Sequence, residues 1–367
     1  MNMLGATRPA VVVGADDPSV TGLGGLGLVA EADRVLGVIS VLDGEVGWLK
    51  KRRRGLSAGE VIVSMAESML ADGDFMCDLD ALRADRAGSA LRAVAAPPAP
   101  TTFAAAAARF DDTAVASVEK AMGVLVARWF NLLPAARRAH LAATRPTIDL
   151  DGTDIEVYGS KKQKVAWNYA GQRVGRAHPA TWAEAAVILA AELGLGVDDP
   201  RPQAPGLIAR AVANLPAGLG RPRVRCDAGY FDAKVARAAL ANGADFAIAA
   251  KRSRAVWRAL AKVGDDEWFV AIDMPDAQVA ICDYTPAGWP EQTRCVVRRV
   301  RVDPGQVRSD PRARRRRTIA PAQLALALPG HVGEIYAYSF IVTNLAGDAK
   351  MIEYWFREHL RPFKSPY

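Results

Sequence analysis

Apolar positions in the first third of the chain recur at three- and four-residue steps. Val115, Val118, Met122, Leu125 and Trp129 fall on one face of a single predicted helix and read as ordinary core. Upstream, Ser57 and Glu60 have the spacing of a capping box, in which a hydroxyl and a carboxylate satisfy the orphan N–H groups at a helix start. The helix they open carries Val61, Met65 and Met69 on one side. The Ala- and Pro-rich stretch 94–102 interrupts the pattern and reads as a linker or hinge between two helical pieces.

From about position 147 the pattern changes. Short β-rich runs are predicted over 147–151, 165–169 and 181–189, then a helix over 204–215, a strand over 223–227, a helix over 232–242 and a strand over 245–250. Three strands followed by alternating helix and strand predict an α/β domain built on a mixed sheet. Beyond Lys251, strands are expected over 268–272, 278–284 and 293–302, separated by Pro and Gly turns. An arginine-heavy tract follows (Arg308, Arg312, Arg314, Arg315, Arg316, Arg317), then a return strand over 336–344 and a short helix from Met351. The expected division is a helical region over 1–145, the first part of an α/β core over 146–252, a β-rich insertion over 253–335, and a return strand with a helix start over 336–367. No repeat of fixed period appears.

A chain of 367 residues, half of them hydrophobic, has room for two or three domains. With no apolar run of about twenty residues and no leader pattern at positions 1–14, it is expected to be soluble and unexported, without a membrane partner. Cys77, Cys226, Cys282 and Cys295 have unrelated spacings and no CxxC pair, which suits buried thiols in a reducing cytoplasm. The net charge of +7 with clustered arginine suits a polyanionic partner such as nucleic acid. Lys50, Lys51, Arg52, Arg53 and Arg54 lead into the capped helix, where they would suit a phosphate backbone; most such runs are solvated surface.

Two carboxylates stand where α/β sheets gather ligands. Asp151 closes the first strand and Asp227 closes the strand over 223–227. Strand alternation puts Asp149 on the same face as Asp151, so either could point at a site. Taken singly, each strand-end Asp reads as an ordinary turn former. Taken together, two adjacent strand-end carboxylates repel unless a cation lies between them, and hard divalent ions such as Mg²⁺ or Mn²⁺ prefer all-oxygen ligands. The glycines of 22–27 match GxGxxG, but the stretch 15–21 intervenes after the apolar run of 10–13. His140, His178, His331 and His359 are scattered and read as surface or hydrogen-bonded residues, and neither a GxSxG elbow nor a Walker loop is present.

The segments 148–159 (IDLDGTDIEVYG), 182–184 (WAE), 224–231 (VRCDAGYF) and 246–252 (FAIAAKR) together resemble bacterial insertion-sequence transposases of the Asp-Asp-Glu type. The closest group is the four-like superfamily in its thirteen-eighty branch, and the similarity extends over nearly the whole chain. The resemblance implies an RNase H-like mixed sheet with an N-terminal helical DNA-binding region and a β-rich insertion. It makes Asp151 and Asp227 the first two catalytic carboxylates and ligands of Mg²⁺ or Mn²⁺. Phosphates would be positioned by the 50–54 cations, Lys161, Lys162, Lys251, Arg252 and Arg314 to Arg317. The partner would be double-stranded DNA, at element ends and target, met by a homodimer in the bacterial cytoplasm at the nucleoid. The family's Glu lies on a helix whose lead-in resembles 352–357; counting forward reaches Arg361 or Phe363, and neither Glu353 nor Glu358 holds the motif position. The chain is therefore expected to stop short of the third carboxylate. Two readings stay open: a metal-dependent transposase, inactive for want of that Glu, or a non-catalytic DNA-binding remnant that regulates or inhibits transposition.

Overall fold

The computed structural model describes residues 19–51, 54–159, 162–168, 170–303, 305, 319, 323 and 335–358. They form two compact units that divide between Arg128 and Trp129.

The first unit is helical. It contains α1 (Gly27–Leu36), α2 (Val38–Val46), α3 (Ala58–Leu70), α4 (Leu79–Ala84), α5 (Pro100–Ala107) and most of α6 (Asp112–Leu132). Gly37, at φ +67°, turns the chain between α1 and α2 in a conformation that few other residues adopt without strain. The capping box forms: the Ser57 hydroxyl accepts from the Glu60 N–H at 3.1 Å, and the Glu60 carboxylate accepts from the Ser57 N–H at 2.5 Å. Val41, Leu42, Val46, Val63, Ala114 and Ala121 make the core.

Two expectations change here. Val115 is 56 % exposed, while Val118 and Leu125 pack against the core as expected, beside the fully buried Ala114 and Ala121. Alanine carries little weight in a hydrophobic pattern, yet its small side chain lets helices approach closely. The stretch 94–102 is packed, with Val94 in the core, Pro97 and Pro98 buried, and the Ala93 N–H donating to the Glu67 carboxylate at 2.9 Å. Pro100 opens α5 in the first turn, where its missing N–H would have no partner in any case.

The second unit begins with the end of α6 and α7 (Ala135–Ala143) and is organised by one sheet. Its strands are β1 (Thr147–Leu150), β2 (Thr153–Glu156), β3 (Ala166–Trp167), β4 (Arg173–Trp182), β5 (Val187–Leu195), β6 (Arg223–Cys226) and β7 (Asp245–Ala249). After these come β8 (Phe269–Ala271), β9 (Met274–Cys282), β10 (Arg294–Val302) and β11 (Ile335–Thr343). The helices are α8 (Ala204–Ala213), α9 (Ala233–Ala241), α10 (Arg254–Leu260) and α11 (Ala349–Arg357). β1 lies between β4, antiparallel to it, and β6, parallel to it, and β7 continues parallel beyond β6. β5 pairs antiparallel with β4. β11 joins β7 to the β10–β9–β8 meander, so the strands after Lys251 belong to the same sheet as β1. α8 packs on β4 and β5, and α9 on β7.

The run expected as one strand over 181–189 straddles a hairpin. β4 ends at Trp182, the chain turns through 183–186 with Ala186 at φ +54°, and β5 starts at Val187. The turn sequence Ala-Glu-Ala-Ala offers no Gly, Pro or Asn to mark it. Glu184 anchors this turn by accepting from the Thr147 N–H at 2.9 Å and the Thr147 hydroxyl at 2.6 Å. Cys226, Cys282 and Cys295 are buried as expected, while Cys77 is exposed. Among the described residues no helix is long and apolar enough to cross a membrane.

Candidate functional site

The parallel pairing of β1 and β6 sets the position of the two candidate carboxylates. Leu150 and Cys226 are register partners, and Asp151 and Asp227 are the next residues on each strand. Neighbouring strands lie about 4.8 Å apart, so the two backbones leave the same sheet edge side by side. Asp151 accepts from the Gly152 N–H at 2.8 Å, and Asp227 accepts from the Gly229 N–H at 2.8 Å. Each therefore makes the local turn expected of a strand-exit Asp, and both remain at least partly open to solvent. Burial pushes the Tyr230 phenol well above its ordinary range, and the charges of Asp151 and Asp227 add to the effect. Both carboxylates thus lie within electrostatic reach of one hydroxyl.

Asp149, the other acid on this face, has a different role. It is the register partner of Arg225, and the two form a bidentate pair at 2.6 and 2.8 Å with both side chains 2 % exposed. Arg225 also donates to the Trp355 and Glu358 carbonyls at the C-terminal end of α11, where the helix dipole favours a cation. The Trp355 indole N–H donates to the Thr147 hydroxyl at 2.9 Å, and Arg223 lies 4.5 Å over its ring. The end of α11 is thereby fixed over β1 and β6, on the face carrying Asp149 and Arg225. Glu353 is 2 % exposed and bound to Arg298 at 2.7 Å and Arg357 at 3.1 Å, which ties it to β10 and to its own helix.

Lys251 and Arg252 are exposed and follow β7 after Ala250, so they stand at the same sheet edge as Asp151 and Asp227. With Ala228, Tyr338 and Phe340 they line a cleft of about 470 Å³. Lys162 is exposed in the connection between β2 and β3. Lys50, Lys51 and Arg54 belong to the first unit, where they border a cleft of about 780 Å³ floored by Leu56, Val61 and Phe110. Arg52, Arg53, Lys161 and Arg314, Arg315, Arg316 and Arg317 lie outside the described residues. Among the described residues no group of three His, Cys, Asp or Glu side chains is placed to hold a metal ion. Asp151 and Asp227 offer an all-oxygen donor pair, which suits a hard divalent cation and would fill part of its coordination shell of about six.

The sequence reading missed Arg225 and the buried pair His178–Tyr230, whose Nδ1 and hydroxyl lie 2.8 Å apart. The available signal was a charged residue inside an otherwise apolar central strand, since arginine is seldom buried without a partner.

A mixed sheet with paired carboxylates at the exits of two adjacent parallel strands defines the chain as an α/β protein with an acidic sheet-edge site. Over residues 5–309 it matches the family described as Transposase DDE domain group 1, and it belongs to that family. Among solved structures it is similar to a chain of the piggyBac transposase synaptic complex with hairpin DNA, determined by cryo-electron microscopy, with a TM-score of 0.40 and 8 % identity. The similarity covers 91 % of this chain and 65 % of that one, so the chain spans less than two thirds of its neighbour's length. No curated protein matches it.

Proposed function

We propose that the chain is the body of an insertion-sequence transposase, carrying two of the carboxylates with which such an enzyme would cleave and rejoin phosphodiester bonds at the ends of its element. The observation that carries this reading is the placement of Asp151 and Asp227 one residue beyond the register pair Leu150–Cys226. An RNase H-like assignment is supported by the order β5–β4–β1–β6–β7, with β4 antiparallel and β6 parallel to β1. Counting β1, β4, β5 and β6 as its first four strands, the acids close the first and the fourth.

Mg²⁺ or Mn²⁺ bound there would activate the attacking oxygen and stabilise the leaving one. Asp151 and Asp227 would hold the ion. Arg225 neutralises Asp149, so the third acid of this face does not add its charge to the site. Lys251 and Arg252, at the same edge, would position backbone phosphates of double-stranded DNA without reading bases.

Mn²⁺ titration of the full chain, followed by electron paramagnetic resonance of the free ion, tests the reading alongside nicking of a duplex carrying the element end. Asp151→Ala and Asp227→Ala should each weaken Mn²⁺ binding by roughly tenfold or more and remove any Mn²⁺-dependent nicking. Wild-type Mn²⁺ affinity in both variants would refute it.

A further inference from the structure

The hydrogen bond between Tyr230 and His178 crosses the end of β1. His178 lies on β4, and the register Leu150–Ala180 followed by Thr153–Ala177 leaves Asp151 and Gly152 facing Pro179 and His178. The Asp-Gly turn rests on the imidazole, since a Cβ added at Gly152 would stand 3.2 Å from His178 Cε1. Tyr230 ends the short turn that Asp227 begins after β6. In the strand order β4–β1–β6, two spacings of about 4.8 Å separate β4 from β6. The two rings fill that gap edge to face, with centroids 6.0 Å apart, and each residue is 2 % exposed.

The far side of the imidazole is also constrained. His178 Nε2 and Gln203 Oε1 are both buried without a hydrogen-bond partner beside Gly194, whose added Cβ would lie 3.3 Å from the first and 3.6 Å from the second. A neutral imidazole and a phenol share one proton across this contact in either tautomer. Burial lowers the His178 pKa and raises that of Tyr230, which keeps both groups neutral.

We propose that Tyr230 and His178 are positioning residues: a two-ring strut that sets the separation of the Asp151 and Asp227 turns and thereby the affinity of that pair for a divalent cation. This inference rests on the metal-binding reading above and adds the device that preorganises it. Rigid spacing matters because two carboxylates on independently moving turns would lose conformational freedom on binding an ion, whereas strutted turns have lost it already.

The test is Mn²⁺ titration of the full chain as Tyr230→Phe, His178→Leu and His178→Asn, with Asp151→Ala in parallel and thermal midpoints recorded for all. Tyr230→Phe keeps the ring and loses only the bond, and should weaken Mn²⁺ binding about tenfold, as should His178→Leu. His178→Asn places an amide oxygen near the Nδ1 position and should restore affinity to within about twofold of wild type, whatever its thermal midpoint. A purely structural role would move the midpoints and leave Mn²⁺ affinity unchanged. Wild-type affinity in Tyr230→Phe alongside loss in Asp151→Ala overturns the strut and leaves the metal reading standing. Unchanged affinity in Asp151→Ala overturns the metal reading itself. If His178→Leu fails to fold, Tyr230→Phe decides, and if Tyr230→Phe fails, His178→Leu does: wild-type affinity in the folded variant overturns the inference, and a loss of about tenfold there with affinity retained in His178→Asn supports it.

Discussion

Removing either member of the Asp149–Arg225 pair should destabilise the second unit more than any surface change of equal size. Both side chains are 2 % exposed and meet through two short charge-assisted bonds. Truncating one partner of a buried pair costs about 3–5 kcal/mol, because a charge remains in a place that water cannot reach. Asp149→Ala should fall near the low end, about 3 kcal/mol, since Arg225 keeps the carbonyls of Trp355 and Glu358. Arg225→Met should cost about 4–5 kcal/mol, because it also releases the end of α11. The double variant Asp149→Leu/Arg225→Met buries no charge and should recover part of that loss, giving a clear non-additivity. Urea unfolding followed by circular dichroism gives the free energies, and hydrogen exchange of the α11 amides gives the second readout. Exchange there should accelerate in Arg225→Met and much less in Asp149→Ala. Losses below about 1 kcal/mol in both single variants would refute the assignment of this pair as a principal tie of the sheet.

Two further outcomes follow from buried groups. Glu67 has no exposed surface, one of its oxygens lacks a partner, and burial raises its pKa. A raised carboxyl favours the fold at acid pH and loses that contribution as pH rises through its folded value, so Glu67→Gln should raise Tm at pH 7 and make no difference once the pH is below the ordinary carboxylate range. Of the four cysteines only Cys77 is exposed, so a thiol reagent should label one site quickly in the native protein and all four after denaturation. The Cys295 thiol is held protonated by its bond with Cys282 and by burial, and fast labelling there would contradict the β9–β10 register.

Central strands were readable because β-branched and apolar runs in β1, β6, β7, β10 and β11 are bounded by recognisable turns or helices. The β4–β5 hairpin was not, since its turn is alanine-rich and β4 contains Gly175 and Pro179, which read as breakers. The acids show the same limit. Alternation placed Asp149 and Asp151 on one face, and only the register against Arg225 separates the neutralised acid from the one at the sheet edge. Register between strands so distant in sequence is a property of the folded sheet. The strut has the same origin, as His178 and Tyr230 meet only when β4 and β6 flank β1.

The position of β11 also bears on how the chain is made. It pairs with β7 on one side and β10 on the other, yet of the described strands it is the last to leave the ribosome. Until then β7 and β10 both present open edges, and β7 carries the apolar residues Phe246, Ala247 and Ile248. At about 5–20 residues per second, the wait between β7 and β11 is on the order of ten seconds, much longer than hairpin formation. The nascent chain therefore passes through a stage in which two half-sheets coexist with complementary sticky edges. Two ribosomes on one message would hold such edges close together, which makes this stage the chain's point of greatest exposure to mispairing and to chaperones.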